Sequence, residues 1–266
     1  MIEITTQKIE VKNDNLNVLL AGRGEAVVLI PSWARGADDF VDLMKVLVKS
    51  GYRAIAINPR GIAGSTGTLT GISVRDLAAD VAGVIKALEA APVHVLGHAF
   101  GNKTARCLAA DYPELVKNII LLAAGGEVEP DRAAFAALKR AVTENLSDAE
   151  WLSAMEQSYF FGKVDPHVWR TGWYPEVAQA QLSLTKATSN DDWWKGGTAP
   201  MLIIQGLEDK IAPPANGRIL RDKLGDRIEL VELEYTAHAL LPERLEIIAE
   251  AILNFISTSY SKKQSS

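Results

Sequence analysis

The sequence predicts an α/β protein in which a mostly parallel sheet carries helices on both faces and a helical insertion interrupts their alternation. Up to residue 124, short apolar segments alternate with amphipathic ones, the pattern that builds a parallel sheet buried on both faces. From 125 to 197 no segment has the composition of a buried strand, and the alternation then resumes. We therefore expect one core, residues 1–124 and 198–266, with a helical cap at 125–197.

The predicted strands are short and rich in β-branched residues or leucine, and the first three end at Pro31, Asn58 and Gly97. These strands cover 26–31, 53–58, 93–97, 117–123, 200–205 and 228–232. A hairpin with strands at 2–11 and 16–20, turning at Asn13-Asp14, is expected to lead the sheet. Predicted helices cover 38–50, 73–90, 99–112, 131–145, 148–160, 215–224 and 242–257. Ser73 is the expected N-cap of the second helix, and the polar tail 259–266 is expected to fray.

Composition and net charge limit the kinds of molecule that the protein is expected to bind. Of the 266 residues, 48% are hydrophobic and 23% charged, an ordinary globular balance that excludes disordered and fibrous classes. The net charge of −5 gives no basic surface for nucleic acid or an anionic membrane. A small neutral or apolar molecule is the expected partner, and the chain is expected to be a monomer or a homodimer.

The sequence predicts no secretory signal, no membrane span and no disulfide. The first eleven residues lack the apolar core of a secretory signal, and no later apolar run has the length of a membrane span. The single cysteine, Cys107, excludes an internal disulfide and fits a small core residue in a reducing compartment. We expect a cytoplasmic protein. The four histidines are spread along the chain and predict no metal cluster, and no cofactor is expected.

One turn carries the most informative motif. The strand that ends at Gly97 runs directly into His98-Ala99-Phe100-Gly101 and then into a helix, which is the context of a nucleophile elbow. At such an elbow the central residue is strained and points outward, so the residues two before and two after it must lack bulk. Gly97 and Gly101 meet that requirement. Here, and over nearly its whole length, the chain resembles the α/β-hydrolase superfamily.

Further motifs follow in the order found in that superfamily. Pro31-Ser32-Trp33 stands where the oxyanion loop follows the third strand, and the segment 58–65 resembles the loop Asp-x-Arg-Gly-x-Gly-x-Ser, with Asn58 in place of Asp. The segment 205–213 resembles the loop of the triad acid, and 237–239 resembles the loop of the histidine. Motifs in this register make a chance resemblance improbable.

The resemblance implies a role for each matching residue. Asp209 would orient and charge-stabilise His238, which would act as general base. The backbone N–H of Phe100 and that of Ser32 or Trp33 would form the oxyanion hole. Ala99 stands where the superfamily has its catalytic serine. Because a methyl group has no lone pair, a covalent acyl-enzyme cannot form at this position.

Two origins of Ala99 remain open at this point. It could be an engineered serine-to-alanine change of the kind used to trap a substrate. It could also be natural, because the superfamily includes members with Gly-His-Ala-x-Gly at the elbow, such as the carbamate hydrolase of bacterial pyrimidine degradation, which this stretch is similar to at that motif alone. Asn102, in place of a second glycine, favours a divergent natural lineage.

Three functions are compatible with these residues. The first is hydrolysis of a small ester, lactone or carbamate, with His238 and Asp209 activating water, or with a serine lost from position 99. The second is cofactor-free lyase or oxygenase chemistry with His238 as the base. The third is a ligand-binding pseudoenzyme, against which the retention of both Asp209 and His238 argues.

Other side chains have competing interpretations. Most of the cap aromatics are expected to hold the cap together, but Trp173 and Tyr174, in a turn between Gly172 and Pro175, are expected to line an apolar substrate pocket. Ser32 is expected to pack in the oxyanion loop or to hydrogen-bond the substrate rather than act as a nucleophile. His98 is expected to be packed beneath the elbow, and Arg35 to lie at the surface rather than to bind a substrate carboxylate.

Overall fold

The structure, a computed structural model, describes residues 2–162 and 164–261, without the side chains of Asp192 and 259–261. Its strands form one eight-stranded sheet in the order β1-β2-β4-β3-β5-β6-β7-β8. The first two strands are antiparallel to their neighbours and all later pairs are parallel. The bounds are β1 Ile4–Val11, β2 Asp14–Ala21, β3 Ala26–Ile30, β4 Arg53–Ile57, β5 Val93–His98, β6 Val116–Leu122, β7 Met201–Gly206 and β8 Ile228–Leu233.

Helices cover the sheet and fill the insertion. Their bounds are α1 Val41–Lys49, α2 Val74–Ala87, α3 Gly101–Asp111, α4 Arg132–Thr143, α5 Asp148–Ser158, α6 Pro175–Ala187, α7 Asn190–Trp193, α8 Ala215–Leu224 and α9 Leu241–Ser261. The last helix is kinked at Arg244. It continues to Ser261, past the point where we expected fraying, and the rest of the predicted frayed tail lies outside the described residues. No helix in the described ranges is long and apolar enough to cross a membrane.

The two faces of the sheet bury separate apolar layers. One layer packs β-branched and leucine side chains of the strands against α2, α3 and α8. The other packs them against α1 and α9. Central strands such as β3 and β5 are buried at every position, because helices cover both faces. The sequence prediction of a mostly parallel, doubly covered sheet is confirmed.

Local signals in the core agree with the predictions in part. The leading hairpin is present, but it turns at Lys12 and Asn13, one residue earlier than predicted, with Val11 opposite Asp14. Ser73 precedes α2, and both its N–H and its hydroxyl donate to Asp76 Oδ2 at 2.8 Å, which satisfies a free donor at the helix start. The third helix begins at Gly101 and not at Ala99 as predicted, because Ala99 has a φ of +48° and cannot continue a right-handed helix.

The insertion between β6 and β7 holds a third apolar cluster. Its members come from α4, α5 and α6 and from the loops beneath them, including Trp33, Phe100 and Ala239. The sequence prediction identified α4 and α5 but missed α6, whose alternating Ala, Gln, Ser and Leu residues give a weak apolar stripe. Since this cluster includes two residues of the predicted oxyanion hole and a neighbour of the predicted catalytic histidine, the helices of the insertion pack against that predicted site.

Candidate active site

The turn after β5 has the geometry of a nucleophile elbow. Ala99 adopts a φ of +48°, a strained conformation for a residue with a side chain. Its N–H donates to the Leu122 carbonyl at 2.9 Å, and its own carbonyl accepts the N–H of Asn102 at 3.0 Å. These two bonds hold the turn between β6 and α3. Ala99 is partly exposed although its neighbours His98 and Phe100 are buried.

Close backbone contacts explain both glycines of the motif. A Cβ on Gly97 would lie 2.4 Å from the Gly101 carbonyl oxygen, and one on Gly101 would lie 2.3 Å from the Ile30 carbonyl oxygen. Neither separation is sterically possible. Gly101 therefore allows α3 to begin directly against the end of β3, which brings the elbow beside the segment that starts at Pro31.

Asp209 and His238 form a buried pair. His238 Nδ1 lies 2.8 Å from Asp209 Oδ2, and the two residues are 2% and 3% exposed. The other carboxylate oxygen, Oδ1, accepts the N–H groups of Ile211 and Ala212 at 2.8 and 2.7 Å. Because a carboxylate can only accept a hydrogen bond, Nδ1 of the neutral His238 ring carries the hydrogen and donates it to Asp209. Nε2 then keeps its lone pair. The loops after β7 and β8 thus hold an imidazole whose Nε2 lone pair could accept a proton.

His98 connects this pair to the elbow. Its Nε2 lies 2.8 Å from the carbonyl oxygen of His238. A carbonyl can only accept, so Nε2 carries the hydrogen and Nδ1, which is buried without a partner among the described residues, carries the lone pair. Complete burial lowers the pKa of His98 to about 3, so the ring is neutral at physiological pH. The residue before Ala99 therefore fixes the backbone of the histidine loop.

Three backbone N–H groups near the elbow have no protein acceptor. Within the described ranges, the N–H groups of Ser32, Trp33 and Phe100 donate to no protein acceptor. Ser32 and Trp33 follow β3, Phe100 follows β5, and Ile30 of β3 is paired with Gly97 of β5. The N–H of Phe100 also lies at the start of the eleven-residue helix α3, whose dipole favours negative charge there. Free, preorganised N–H groups of this kind stabilise an oxyanion.

Comparison with known proteins identifies the fold family. The sequence profile described as "alpha/beta hydrolase fold" matches residues 25–244. The chain belongs to the α/β hydrolase fold family. The match spans both parts of the sheet and the insertion between them, and the eight-stranded order agrees with it. The resemblance drawn from the sequence motifs is confirmed.

Relatives within the family differ in activity. The chain is 24% identical to a protein of Variovorax paradoxus assigned as a carbamate hydrolase, over 88% of this chain and 92% of the relative. It is 26% identical to a non-heme chloroperoxidase of Streptomyces lividans, over 88% and 92%. An esterase structure from Exiguobacterium antarcticum superposes with a TM-score of 0.77 at 20% identity, covering 95% and 100% of the two chains.

Two departures from the α/β hydrolase motifs have a structural explanation. Asn102, in place of a second glycine, donates its side-chain amide to the carbonyls of Leu122 and Ala123, both at 2.9 Å. It thereby ties the start of α3 to the end of β6. Asn58, in place of Asp, accepts the N–H of Ala37 through Oδ1 at 2.8 Å. Both residues hold loops around the site and take no part in the Asp209–His238 pair.

The insertion contributes Tyr159, one of the aromatic residues expected only to hold the cap together. Tyr159, at the end of α5, packs its ring edge-on against His238 with centroids 4.8 Å apart, and its carbonyl accepts the N–H of Ala239 at 2.9 Å. Its hydroxyl lies 3.0 Å from Ser32 Oγ. Tyr159 therefore joins the histidine loop to the oxyanion loop. Its sequence carries only the weak signal of an aromatic pair, Tyr159-Phe160, at a helix end.

The predicted pocket residues lie farther from the histidine. Trp173 is half-buried and packs edge-on against Tyr159, with ring centroids 5.7 Å apart, so one aromatic ring separates it from His238. Tyr174 is the N-cap of α6, and its N–H donates to the Ala34 carbonyl at 3.1 Å. No described contact joins Tyr174 to His238. The substrate-binding role of both remains a prediction.

Arg35 is buried, contrary to the surface position that we expected. It is 4% exposed, forms an ion pair with Asp39, and stacks its guanidinium on Trp169 and Trp173 at 4.8 and 4.5 Å from the ring centroids. Its Nη1 donates to the Thr171 carbonyl at 2.6 Å. A buried cation needs such partners, and here they join the segment after the oxyanion loop to the insertion.

The remaining histidines are remote from the site. His94 is buried near the start of β5, with Nδ1 3.0 Å from Asn118 Nδ2, and His167 is bonded to Asp165 and Asp148 near the surface of the insertion. Among the described residues, no group of three or more His, Cys, Asp or Glu side chains could hold a metal ion. Cys107 is buried in α3.

Proposed function

We propose that this α/β hydrolase cleaves a small ester, lactone or carbamate with water as the direct nucleophile. The main support is the hydrogen-bonded pair of His238 and Asp209, in which Nδ1 and Oδ2 are 2.8 Å apart. This pair is intact although the central residue of the elbow, Ala99, has only a methyl side chain. A pair oriented in this way has a chemical use even without a serine. The relative assigned as a carbamate hydrolase supports a substrate of this class.

The proposed step needs only groups that surround the elbow. His238 Nε2 accepts a proton from a water molecule as its oxygen attacks the carbonyl carbon. The electron pair of the C=O bond moves onto the carbonyl oxygen, which the N–H groups of Trp33 and Phe100 stabilise. Collapse of the tetrahedral intermediate breaks the bond to the leaving group, which takes the proton from His238. Asp209 stabilises the imidazolium throughout.

Ala99 limits which substrates can react. Without a covalent intermediate, the rate depends on binding, oriented water and oxyanion stabilisation. In a serine protease from which triad members are removed, these contributions leave about 10³ to 10⁴ over the reaction in water. Such an acceleration suffices for an activated ester or a labile carbamate and is small for an ordinary amide. The substrate class is therefore one with a reactive carbonyl.

The test compares alanine with serine at position 99. Hydrolysis of p-nitrophenyl acetate and of a p-nitrophenyl carbamate is followed for the chain, for His238→Gln and for Ala99→Ser. We expect turnover without a burst in the chain, loss of that turnover in His238→Gln, and an organophosphate adduct in Ala99→Ser alone. An inactive chain whose Ala99→Ser variant gains large activity would mean that position 99 is a disabled serine site. Turnover that survives in His238→Gln would also overturn the proposal.

A further inference from the structure

The hydroxyls of Ser32 and Tyr159 leave one hydrogen without an acceptor. The two oxygens are 3.0 Å apart, and each residue is 1% exposed. Two hydroxyls carry two hydrogens, and the bond between them uses one. No other protein acceptor for either hydroxyl lies among the described residues. A buried O–H without an acceptor is costly, so this hydrogen is available for a bound molecule.

The different acidities of the two hydroxyls indicate which one donates to the other. A phenol is a stronger donor and a weaker acceptor than an aliphatic alcohol, because its oxygen lone pair is delocalised into the ring. Burial raises the pKa of Tyr159 above its ordinary value, so the phenol stays protonated and able to donate. This difference in acidity favours Tyr159 as the donor to Ser32 Oγ, which leaves the hydrogen of Ser32 free.

The position of Ser32 indicates what would receive it. Ile30 of β3 is paired with Gly97 of β5, and Ser32 and Ala99 each come two residues later. Both residues therefore lie just beyond the carboxyl ends of these neighbouring parallel strands. Tyr159, the partner of Ser32, packs its ring against His238 with centroids 4.8 Å apart. The free hydrogen thus lies among the base, the elbow and the N–H groups of the predicted oxyanion hole.

We propose that Ser32 Oγ donates a hydrogen bond to the carbonyl oxygen of the substrate, alongside the N–H groups of Trp33 and Phe100, and that Tyr159 positions and polarises that hydroxyl. This inference rests on the hydrolytic function proposed above. The bond strengthens as negative charge develops on the oxygen, so it acts mainly in the transition state. No proton is transferred from Ser32, and its hydroxyl stays intact through the cycle.

The experiment compares Ser32→Ala, Tyr159→Phe and the double variant. We expect Ser32→Ala to lower kcat for p-nitrophenyl acetate about 10²- to 10³-fold with little change in KM, as for removal of one oxyanion donor. Tyr159→Phe should lower kcat by a smaller factor, and the double variant should match Ser32→Ala because Tyr159 acts through Ser32. Ser32→Thr should restore most of the activity.

Ser158→Ala is the matched control. Ser158 is 3% exposed and adjoins Tyr159, but its hydroxyl donates to the Ala154 carbonyl within α5 at 2.6 Å. Loss of this buried hydroxyl should leave kcat unchanged. Full activity of a folded Ser32→Ala variant would overturn the proposal. A larger loss in Tyr159→Phe than in Ser32→Ala would reverse the assigned donor, and an acyl group found on Ser32 by mass spectrometry would make Ser32 a nucleophile.

A binding measurement separates this inference from the proposed function. The hydrate of a trifluoromethyl ketone mimics the tetrahedral intermediate and binds without turnover. If the chain hydrolyses neither p-nitrophenyl probe, the proposed function fails, yet calorimetry with the ketone still tests Ser32. Weaker ketone binding in Ser32→Ala than in Ser158→Ala would support the hydrogen bond, and equal binding would contradict it.

Discussion

His98 donates its Nε2 hydrogen to the backbone carbonyl of His238, 2.8 Å away. The two rings also approach, with centroids 5.6 Å apart. The residue beside the elbow and the proposed base are thus held by one bond that crosses from the end of β5 to the loop after β8. We expect the position of His238 relative to Ala99 to depend on this bond, which joins residues 140 positions apart in the chain.

The His98 bond predicts a variant that moves the base without touching substrate. His98→Leu fills the same buried space but leaves the His238 carbonyl without its donor. We expect kcat to fall by about 10²-fold through misplacement of the base, and stability to fall by about 1–3 kcal/mol. His98→Gln, which can offer an N–H at similar reach, should recover much of both. Equal kcat in His98→Leu and the unmodified chain would show that the bond does not position His238.

Two buried neutral histidines predict loss of stability on acidification. Burial lowers the pKa of His98 to about 3 and that of His94 to about 4, whereas the unfolded chain binds a proton on each near 6.5. The unfolded state therefore holds more protons below pH 6.5, and the free energy of unfolding falls as the pH drops from there towards 3–4. At pH 5 each of these histidines should lower the free energy of unfolding by about 2 kcal/mol relative to its value at neutral pH.

Denaturant unfolding at pH 7 and pH 5 checks this prediction. His94→Asn and His98→Gln should each reduce by one the number of protons taken up on unfolding at acidic pH, and the double variant should reduce it by two. The loss of unfolding free energy between pH 7 and pH 5 should shrink accordingly. His167 acts in the opposite direction, because hydrogen bonds to Asp165 and Asp148 raise its pKa. The stabilisation from protonated His167 is fully present below the pKa of a histidine in the unfolded chain. It is lost as the pH rises through the raised pKa of His167 in the folded protein. A free energy of unfolding that is the same at both pH values would contradict the assignment of neutral buried rings.

The parallel core could be predicted from the sequence because its signals are local. Strands such as β3 and helices such as α8 were placed within one residue of their observed bounds, since buried runs and turn residues mark them. The pairing of Asp209 with His238 was predicted through the family motif order. The Ser32–Tyr159 contact was not predicted, because these residues are 127 positions apart and no pattern specifies how an insertion folds back. Arg35 was misplaced for the same reason: its partners Trp169 and Trp173 lie in that insertion.

The bond between Asp209 and His238 predicts a large effect of a nearly isosteric change. Asp209→Asn keeps the size of the side chain but removes its charge, and its amide can present a donor towards Nδ1. The ring would then favour the wrong tautomer, as in a serine protease whose triad Asp is changed to Asn, where kcat falls about 10⁴-fold. We expect a loss of at least 10²-fold in hydrolysis of p-nitrophenyl acetate. Glu208→Gln, one residue earlier, is the control, and an equal loss there would point to loop damage.

The elbow glycines predict a steric cost that is independent of catalysis. A Cβ at Gly97 or Gly101 would lie 2.4 or 2.3 Å from a backbone oxygen, so either alanine substitution forces β5, α3 or β3 to shift. We expect a loss of more than about 3 kcal/mol, or failure to fold. Gly125→Ala is the matched control, because its Cβ would meet only the Ala212 methyl at 3.8 Å. Similar melting temperatures for all three variants would contradict the close packing of the elbow.

The insertion and the oxyanion loop share hydrogen bonds that predict a remote effect on catalysis. Gln181 of α6, 1% exposed, accepts the Ala34 N–H through Oε1 at 2.8 Å, and Trp33 Nε1 donates to the Ala178 carbonyl at 2.9 Å. Gln181→Leu would leave the Ala34 N–H buried and unpaired, at a cost of about 1–3 kcal/mol.

The same change should reach the proposed oxyanion donors. Because Ala34 directly follows Trp33, release of its N–H should let the Trp33 N–H move, lowering kcat by about 10-fold or more while KM changes little. Gln179→Leu on the exposed face of α6 is the matched control and should leave kcat unchanged. Gln181→Glu keeps an acceptor at the same place and should retain most of the activity. A Gln181→Leu variant that loses stability but keeps full kcat would show that α6 supports the loop without setting the geometry of its donors.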